Sequence, residues 1–125
     1  MKNGELKSAL SALNYAANEQ LPIKVSFAIA KNVKIIQDAL REFEMFRLDK
    51  LKQAAVTKDG KIQTKPNSVE AIFETKEHED AYNKEMLELM DTDSGLTVHR
   101  VTESDFKDIE IQPALLVGLS FMITE

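Results

Sequence analysis

The chain has 125 residues, of which 43% are hydrophobic and 30% charged, and it contains neither cysteine nor tryptophan. This length and composition are typical of one globular domain and argue against a two-domain enzyme, a disulfide scaffold and a collagen-like repeat. The absence of cysteine excludes thiol nucleophiles and thiolate zinc sites. The longest apolar run, residues 114–119, is far shorter than the roughly 20 residues that span a bilayer, so we expect no membrane partner.

The net charge of −5 is unevenly distributed along the chain. Residues 24–65 carry ten Lys or Arg against five Asp or Glu, whereas residues 66–125 carry four against fourteen. Such a separation predicts that basic and acidic segments face each other, either within one fold or head to tail between subunits. The basic half lacks the interleaved aromatic residues of a single-strand platform, so nucleic acid is not an expected partner.

Two helices are predicted in the first half of the chain. Residues 4–19 place leucines at helical spacing, with Asn3 as an N-cap, and Leu21-Pro22 ends this helix because the residue before proline is pushed out of helical geometry. Residues 25–55 contain no Gly or Pro and form a long central helix. Its apolar arc consists of Val25, Ile29, Val33, Ile36, Leu40, Phe43 and Leu51.

The predicted central helix is longer than the domain that contains it. Thirty-one residues rise about 46 Å, whereas a compact domain of this size is about 35 Å across. Three side chains break its pattern: Arg47 lies at the centre of the apolar arc, and Phe27 and Met45 lie on the opposite, charged side. Arg47 either extends along the edge of the core to a carboxylate or makes a buried contact across an oligomer interface. Phe27 and Met45 are either covered by the first helix or the C-terminal segment, or they mark a partner-binding face.

The segment after the long helix contains two breaker clusters. Asp59-Gly60 is a turn signal, and Lys65-Pro66-Asn67-Ser68 follows it closely. Residues 62–64 and 69–73 predict a small β-ribbon, with a mobile loop over residues 57–73 as the alternative.

A third helix, a strand and a last helix are predicted in the acidic half. Residues 75–91 form a helix with an acidic outer face, and residues 96–101 alternate as in a strand. Pro113 suits the first position of a last helix over residues 114–123, which is apolar on nearly every side and belongs in a core or an interface. The predicted fold is a single α+β domain, predominantly α. Its parts are a helical hairpin, an acidic third helix, a small β-element and an apolar C-terminal helix.

No set of residues predicts catalysis or metal binding. Residues 91–95 begin like a calcium loop but lack its later ligands, and the pair Glu74 and His78 is more often a local ion pair than a metal site. His99, Ser104 and Asp105 have the residue types of a hydrolase triad without a nucleophile elbow. The four glycines are isolated from one another, so no phosphate-binding loop exists. We therefore expect a protein that is not an enzyme and has no cofactor.

Several segments, taken in order, resemble a group of small helical proteins from phages and prophages of Gram-positive and gut bacteria. They are residues 21–31 (LPIKVSFAIAK), 40–44 (LREFE), 59–60 (DG), 83–90 (NKEMLELM) and 105–116 (DFKDIEIQPALL). The resemblance implies a phage or prophage origin and brings no catalytic residue. Residues 118–123 depart from the group, whose members place an acidic residue and a proline there. The expected location is the host cytoplasm or the virion.

The leading hypothesis is a phage-encoded interaction protein that self-associates, commonly as a symmetric dimer, and serves as a virion or assembly accessory. Its candidate interface comprises Phe27, Met45, Arg47, Lys50, Leu51, Leu116, Leu119, Phe121 and Met122. The alternative is an inhibitor of a host defence or replication protein. It would use either a DNA-mimicking acidic surface or an oligomer that sequesters a nucleotide with Arg47 and Lys50. The candidate acidic surface comprises Glu74, Glu77, Glu79, Asp80, Glu85 and Glu88.

Overall fold

The computed structural model describes residues 1–107 and 109–124. Its α-helices are α1 (Leu6–Ala16), α2 (Ile23–Ala54), α3 (Lys76–Asp91) and α4 (Pro113–Gly118), and its strands are β1 (Thr57–Lys58), β2 (Lys61–Ile62), β3 (Val101–Thr102) and β4 (Ile123–Thr124). Three 3-10 turns lie at Asn3–Glu5, Glu103–Phe106 and Ser120–Met122. The predominantly helical fold with a small β-component confirms the predicted fold class.

The core lies between α1 and the first half of α2. Helix α1 ends at Ala16, earlier than the predicted residue 19, and the chain turns at residues 17–18. The extended backbone of Pro22 then starts α2, which packs antiparallel to α1. One side of α1 is buried through Leu6, Ala9, Leu13 and Ala16. Small alanines between the leucines let the two helices approach closely. The helical hairpin follows from the spacing of apolar residues in the sequence.

The second half of α2 is less buried than the first. All five buried residues of this helix lie between Val25 and Ile36. Beyond Ile36, the apolar arc is only half-buried, beneath α3 and the ribbon that follows α2. The long helix is therefore continuous, as predicted, and its own chain covers the second half incompletely.

Residues 55–73 form the predicted ribbon. Asp59 and Gly60 both have positive φ, which is the backbone of a two-residue type I′ turn, and β1 pairs with β2 on either side of it. Thr64 then bridges to Ala71, and the Ile72 amide donates to the Gln63 carbonyl over 2.9 Å. The pairing of the two predicted segments is confirmed, and β1 adds a third strand segment that the sequence reading left in the turn.

Helix α3 is tied to the start of the chain. The hydroxyl of Thr75 accepts a hydrogen bond from the His78 amide and caps the helix. At its other end, Asn3 Nδ2 donates to the Leu89 carbonyl over 2.9 Å. The prediction that Asn3 caps α1 is therefore wrong, because its side chain satisfies a carbonyl at the end of α3 instead.

The acidic half is less regular than the sequence predicts. Residues 96–100 are not a strand, because the Asn32 side chain takes both backbone groups of His99: its Nδ2 donates to the carbonyl over 2.9 Å and its Oδ1 accepts from the amide over 2.7 Å. Only β3 forms, pairing in parallel with β4. The predicted last helix is also too long, since α4 ends at Gly118. A Cβ at Gly118 would lie 3.0 Å from the Cβ of Ala12, so a larger residue there would have to push α4 and α1 slightly apart.

The chain exposes more surface than a compact monomer. Its accessible area is 8849 Å², against about 6,700 Å² expected for a compact protein of 14.1 kDa. The difference of about 2,100 Å² lies in the range that one subunit buries in a permanent complex, about 1,000–2,500 Å². The extra surface includes large apolar side chains.

Candidate interaction surface

Phe27 and Met45 lie where the sequence placed them, on the side of α2 opposite its buried residues. They are 60% and 62% exposed. We call this side the outer face of α2. It consists of the exposed side chains of residues 27–52 within about 100° of arc: Phe27, Ala30, Met45 and Leu48 are apolar, Lys31, Lys34, Arg41 and Lys52 are basic, and Asp49 is acidic. Of the two readings of Phe27 and Met45, cover by the first helix or the C-terminal segment is wrong, because α1 and α4 pack on the other side.

The outer face combines apolar and basic groups. The Lys31 ammonium lies 5.3 Å from the ring centre of Phe27, so the cation covers part of the ring without burying it. Lys34 and Arg41 both lie 3.7 Å from the carboxylate of Asp38, between them on the helix. Such exposed pairs within one helix contribute little to stability. The face remains basic overall.

Arg47 follows the simpler of its two predicted roles. The guanidinium is half-buried and pairs with the Glu44 carboxylate one turn away, at 3.1 Å. Burial opposes its charge, but Tyr82 and Glu44 outweigh that effect and raise the pKa of Arg47. The buried Tyr82 hydroxyl has no hydrogen-bond partner within the described residues, so its effect on Arg47 is electrostatic. Arg47 thus finds its carboxylate within α2.

Lys50 and Leu51 are half-buried near the end of α2. The Lys50 ammonium lies 5.5 Å from the ring centre of Phe46. Both cations that the nucleotide-sequestering alternative uses, Arg47 and Lys50, therefore already have partners within the chain.

The C-terminal candidates divide into core and surface. Leu119 and Met122 are fully buried, so assigning them to an interface is wrong. They pack with α1 because α4 is short and its 3-10 extension turns the chain back into the core. Leu116 is exposed and Phe121 half-buried. Leu116 also lines a cavity of about 480 Å³, together with Glu103, Phe106, Ile109, Ile111, Ser120 and Ile123.

The six carboxylates of the predicted acidic surface lie on and just before α3, but Glu79 is on the side of the helix that carries Tyr82 and Met86. Five of the six carboxylates are exposed, and Glu79 is half-buried. Within the described residues, none of the six lies in an ion pair. Glu77 and Glu79 stand in the first turn, where they interact favourably with the helix dipole. The expected ion pair of Glu74 with His78 is wrong, because the His78 ring faces the Thr75 hydroxyl at 3.0 Å.

Five exposed large apolar residues of α2 and α3 are absent from the predicted surfaces: Ile23, Phe46, Leu48, Leu87 and Met90. Met90 is 44% exposed beside the packed side of α3, where Tyr82 is buried and Met86 and Leu89 are half-buried. Leu87 lies away from that side and is 68% exposed. The signal for Leu48 was its position three residues after Met45, on the same side of α2.

The other sequence-derived groups do not form sites. The Asp93 carboxylate accepts from the Gly95 amide over 2.7 Å and lies 3.4 Å from the N-terminal ammonium, and these two partners lower its pKa. Asp105 accepts from the Thr102 amide, so it caps a 3-10 turn. Across residues 1–107 and 109–124, no group of three metal-ligating side chains comes together. None of the helices in this part is long and apolar enough to cross a membrane.

Comparison with protein-family models, with curated proteins and with solved structures finds no match to this chain.

Proposed function

We propose that this protein is a phage-encoded, non-enzymatic interaction protein that self-associates through the outer face of α2. The observation that carries the proposal is the exposure of Phe27 and Met45 on a helix whose opposite side forms the core. Large apolar side chains exposed together with charged neighbours are typical of protein-binding surfaces. The surface excess of about 2,100 Å² supports the same function, because association would remove it from water. A small helical protein that binds copies of itself could serve as a virion or assembly accessory, and this is the role that we propose.

Multi-angle light scattering tests the proposal. For the wild-type chain, we expect a mass above 14.1 kDa that increases with concentration. The double variant Phe27→Ser/Met45→Ser should remain at the monomer mass, because it removes the two most exposed large apolar groups of the outer face. Val69→Ser is the matched control, since Val69 is 96% exposed and lies in the ribbon. A wild-type chain that stays monomeric at every concentration would contradict the proposal.

The acidic surface favours a second function, inhibition of a host nucleic-acid-binding protein by mimicry of a DNA backbone. Its support is that six carboxylates have no ion-pair partner within the described residues. A mimic should displace DNA from its target and lose affinity steeply with added salt. Displacement that is unaffected by Glu85→Lys/Glu88→Lys would contradict this function.

A further inference from the structure

The basic and acidic helices of this chain are not neutralised by each other. Helix α2 carries seven basic and four acidic residues, and α3 carries two basic and six acidic residues. Within the described residues, the ion pairs of α2 lie inside the helix, apart from Lys24 with Asp105. The single pair of α3 joins Asp91 to Lys2. Of the two arrangements that the charge distribution predicts, pairing of α2 with α3 inside one chain is therefore not observed.

We propose that copies of this chain associate head to tail, with the outer face of α2 in one copy docked on the acidic surface and Leu87 of α3 in the next. The inference rests on the proposed self-association and specifies its geometry. The two surfaces are complementary in net charge: four exposed bases outnumber Asp49 on the outer face of α2, and the carboxylates of the acidic surface outnumber Lys84, which is exposed among them. Each also provides exposed apolar groups, Phe27, Met45 and Leu48 on one side and Leu87 on the other.

The spacing of the charges fits two helices lying side by side. Arg41 and Lys52 are exposed and eleven residues apart, which is about 16 Å along the axis of a helix. Glu77 and Glu88 are also exposed and have the same separation on α3. An aligned pair of helices can therefore satisfy both charge pairs at once.

A two-fold contact of the outer face with itself is disfavoured. It would bring Lys31, Lys34, Arg41 and Lys52 of two copies together, and like charges in an interface cost affinity. Asp38, which lies between Lys34 and Arg41, is already shared by them, and Asp49 is a single exposed acid against these four bases. A surface that complements a different surface of the same molecule makes a heterologous contact, which closes into a ring or continues as a filament.

Charge reversal tests the geometry by sedimentation velocity. Arg41→Glu/Lys52→Glu and Glu77→Lys/Glu88→Lys should each weaken self-association at least about tenfold at low salt, because each brings like charges together. The quadruple variant with all four reversals should recover association, and so should an equimolar mixture of the two double variants. The matched control is Lys7→Glu/Glu19→Lys, two exposed positions in and just after α1, and it should leave association unchanged. Circular dichroism verifies the folding of each variant.

The outcomes separate this inference from the function on which it rests. A wild-type chain that never associates overturns both. If the wild-type chain associates but the reversals on α3 have no effect, or if the mixture and the quadruple variant both fail to recover, the head-to-tail geometry is overturned and self-association stands. Recovery in the quadruple variant supports the α2–α3 contact, because reversing the charges on both surfaces makes them opposite in sign again.

Discussion

Asn32 is the only polar side chain among the fully buried residues that the structure describes, and it decides the course of a whole segment. Its amide binds both backbone groups of His99, and its Nδ2 also lies 3.5 Å from the Met122 sulfur. A fully hydrogen-bonded buried amide holds its partner in one position, because sliding the segment along α2 would break both hydrogen bonds to His99. The segment that reads as a strand therefore remains extended and unpaired along α2.

Asn32→Ala should destabilise the chain by about 2–4 kcal/mol, because it removes two part-buried hydrogen bonds to the His99 backbone and leaves a cavity where a fully buried side chain was. Chemical denaturation measures the change. Asn83→Ala removes an exposed asparagine from α3 and should change stability by less than about 0.5 kcal/mol. Equal losses in both variants would show that the Asn32 hydrogen bonds do not hold the segment.

Asp105 predicts a pH dependence of stability. Its carboxylate accepts from the Thr102 amide over 2.8 Å and lies 3.4 Å from the Lys24 ammonium, and these partners lower the pKa of Asp105. A lowered pKa in the folded state stabilises the fold above the unfolded pKa of about 3.9, and the contribution is lost as the pH falls through the lower, folded value.

Asp105→Asn should therefore melt below the wild-type chain at pH 7, and the difference should shrink as the pH falls below about 4. Thermal melts from pH 7 to pH 3 measure it. Glu19→Gln, at an exposed position after α1, serves as the control and should follow the wild-type profile. A difference that stays constant over this pH range would contradict the assignment.

Among the elements, α2 combines two different environments along one side. Its first half packs against α1 and supplies every fully buried side chain of the helix, whereas its second half is covered only in part. Helical spacing alone predicts one continuous arc, because spacing reports the direction of side chains and not what lies opposite them. The burial of each half depends on which elements reach it.

Ile36→Ala should destabilise the chain by about 2–5 kcal/mol, since Ile36 is fully buried and its removal leaves a cavity. Ile23→Ala is the control on the same helix, because Ile23 is 88% exposed and its truncation should cost less than about 0.5 kcal/mol. Denaturant titration distinguishes the two. Similar costs at both positions would contradict the described orientation of α2.

For the whole molecule, the large accessible area is the feature on which the proposed association depends. A chain that exposes about 2,100 Å² more than a compact monomer of its mass gains stability when copies cover that surface. The apolar groups responsible lie mainly on α2 and α3, outside the core that α1, α2 and α4 form. The proposed self-association would therefore also stabilise the folded state.

The melting temperature of the wild-type chain should rise with protein concentration, because association stabilises the folded state by mass action. Phe27→Ser/Met45→Ser should remove the dependence while keeping the wild-type melting temperature at high dilution, because neither side chain is part of the core. Scanning calorimetry over about a hundredfold concentration range measures both. A wild-type melting temperature that is independent of concentration would contradict the proposed stabilisation.

The sequence by itself determined the features that depend on near neighbours in the chain. The start of α2 after Pro22, the long helix without Gly or Pro, the Asp59-Gly60 hairpin and the start of α3 at Thr75 follow from local backbone preferences, so spacing and turn chemistry predict them. The position of Phe27 and Met45 on the side of α2 opposite its apolar arc also follows from helical periodicity.

The tertiary structure alone decided the features that depend on distant groups. Asn3 binds α3 instead of capping α1, the segment before β3 follows Asn32, and Leu119 and Met122 enter the core after α4 ends at Gly118, which packs closely on Ala12. Each of these residues could bind or pack against a neighbour in the chain or a distant partner, and the local sequence does not determine which. The choice is made by partners 67 to 106 residues away along the chain, which only the folded chain brings together.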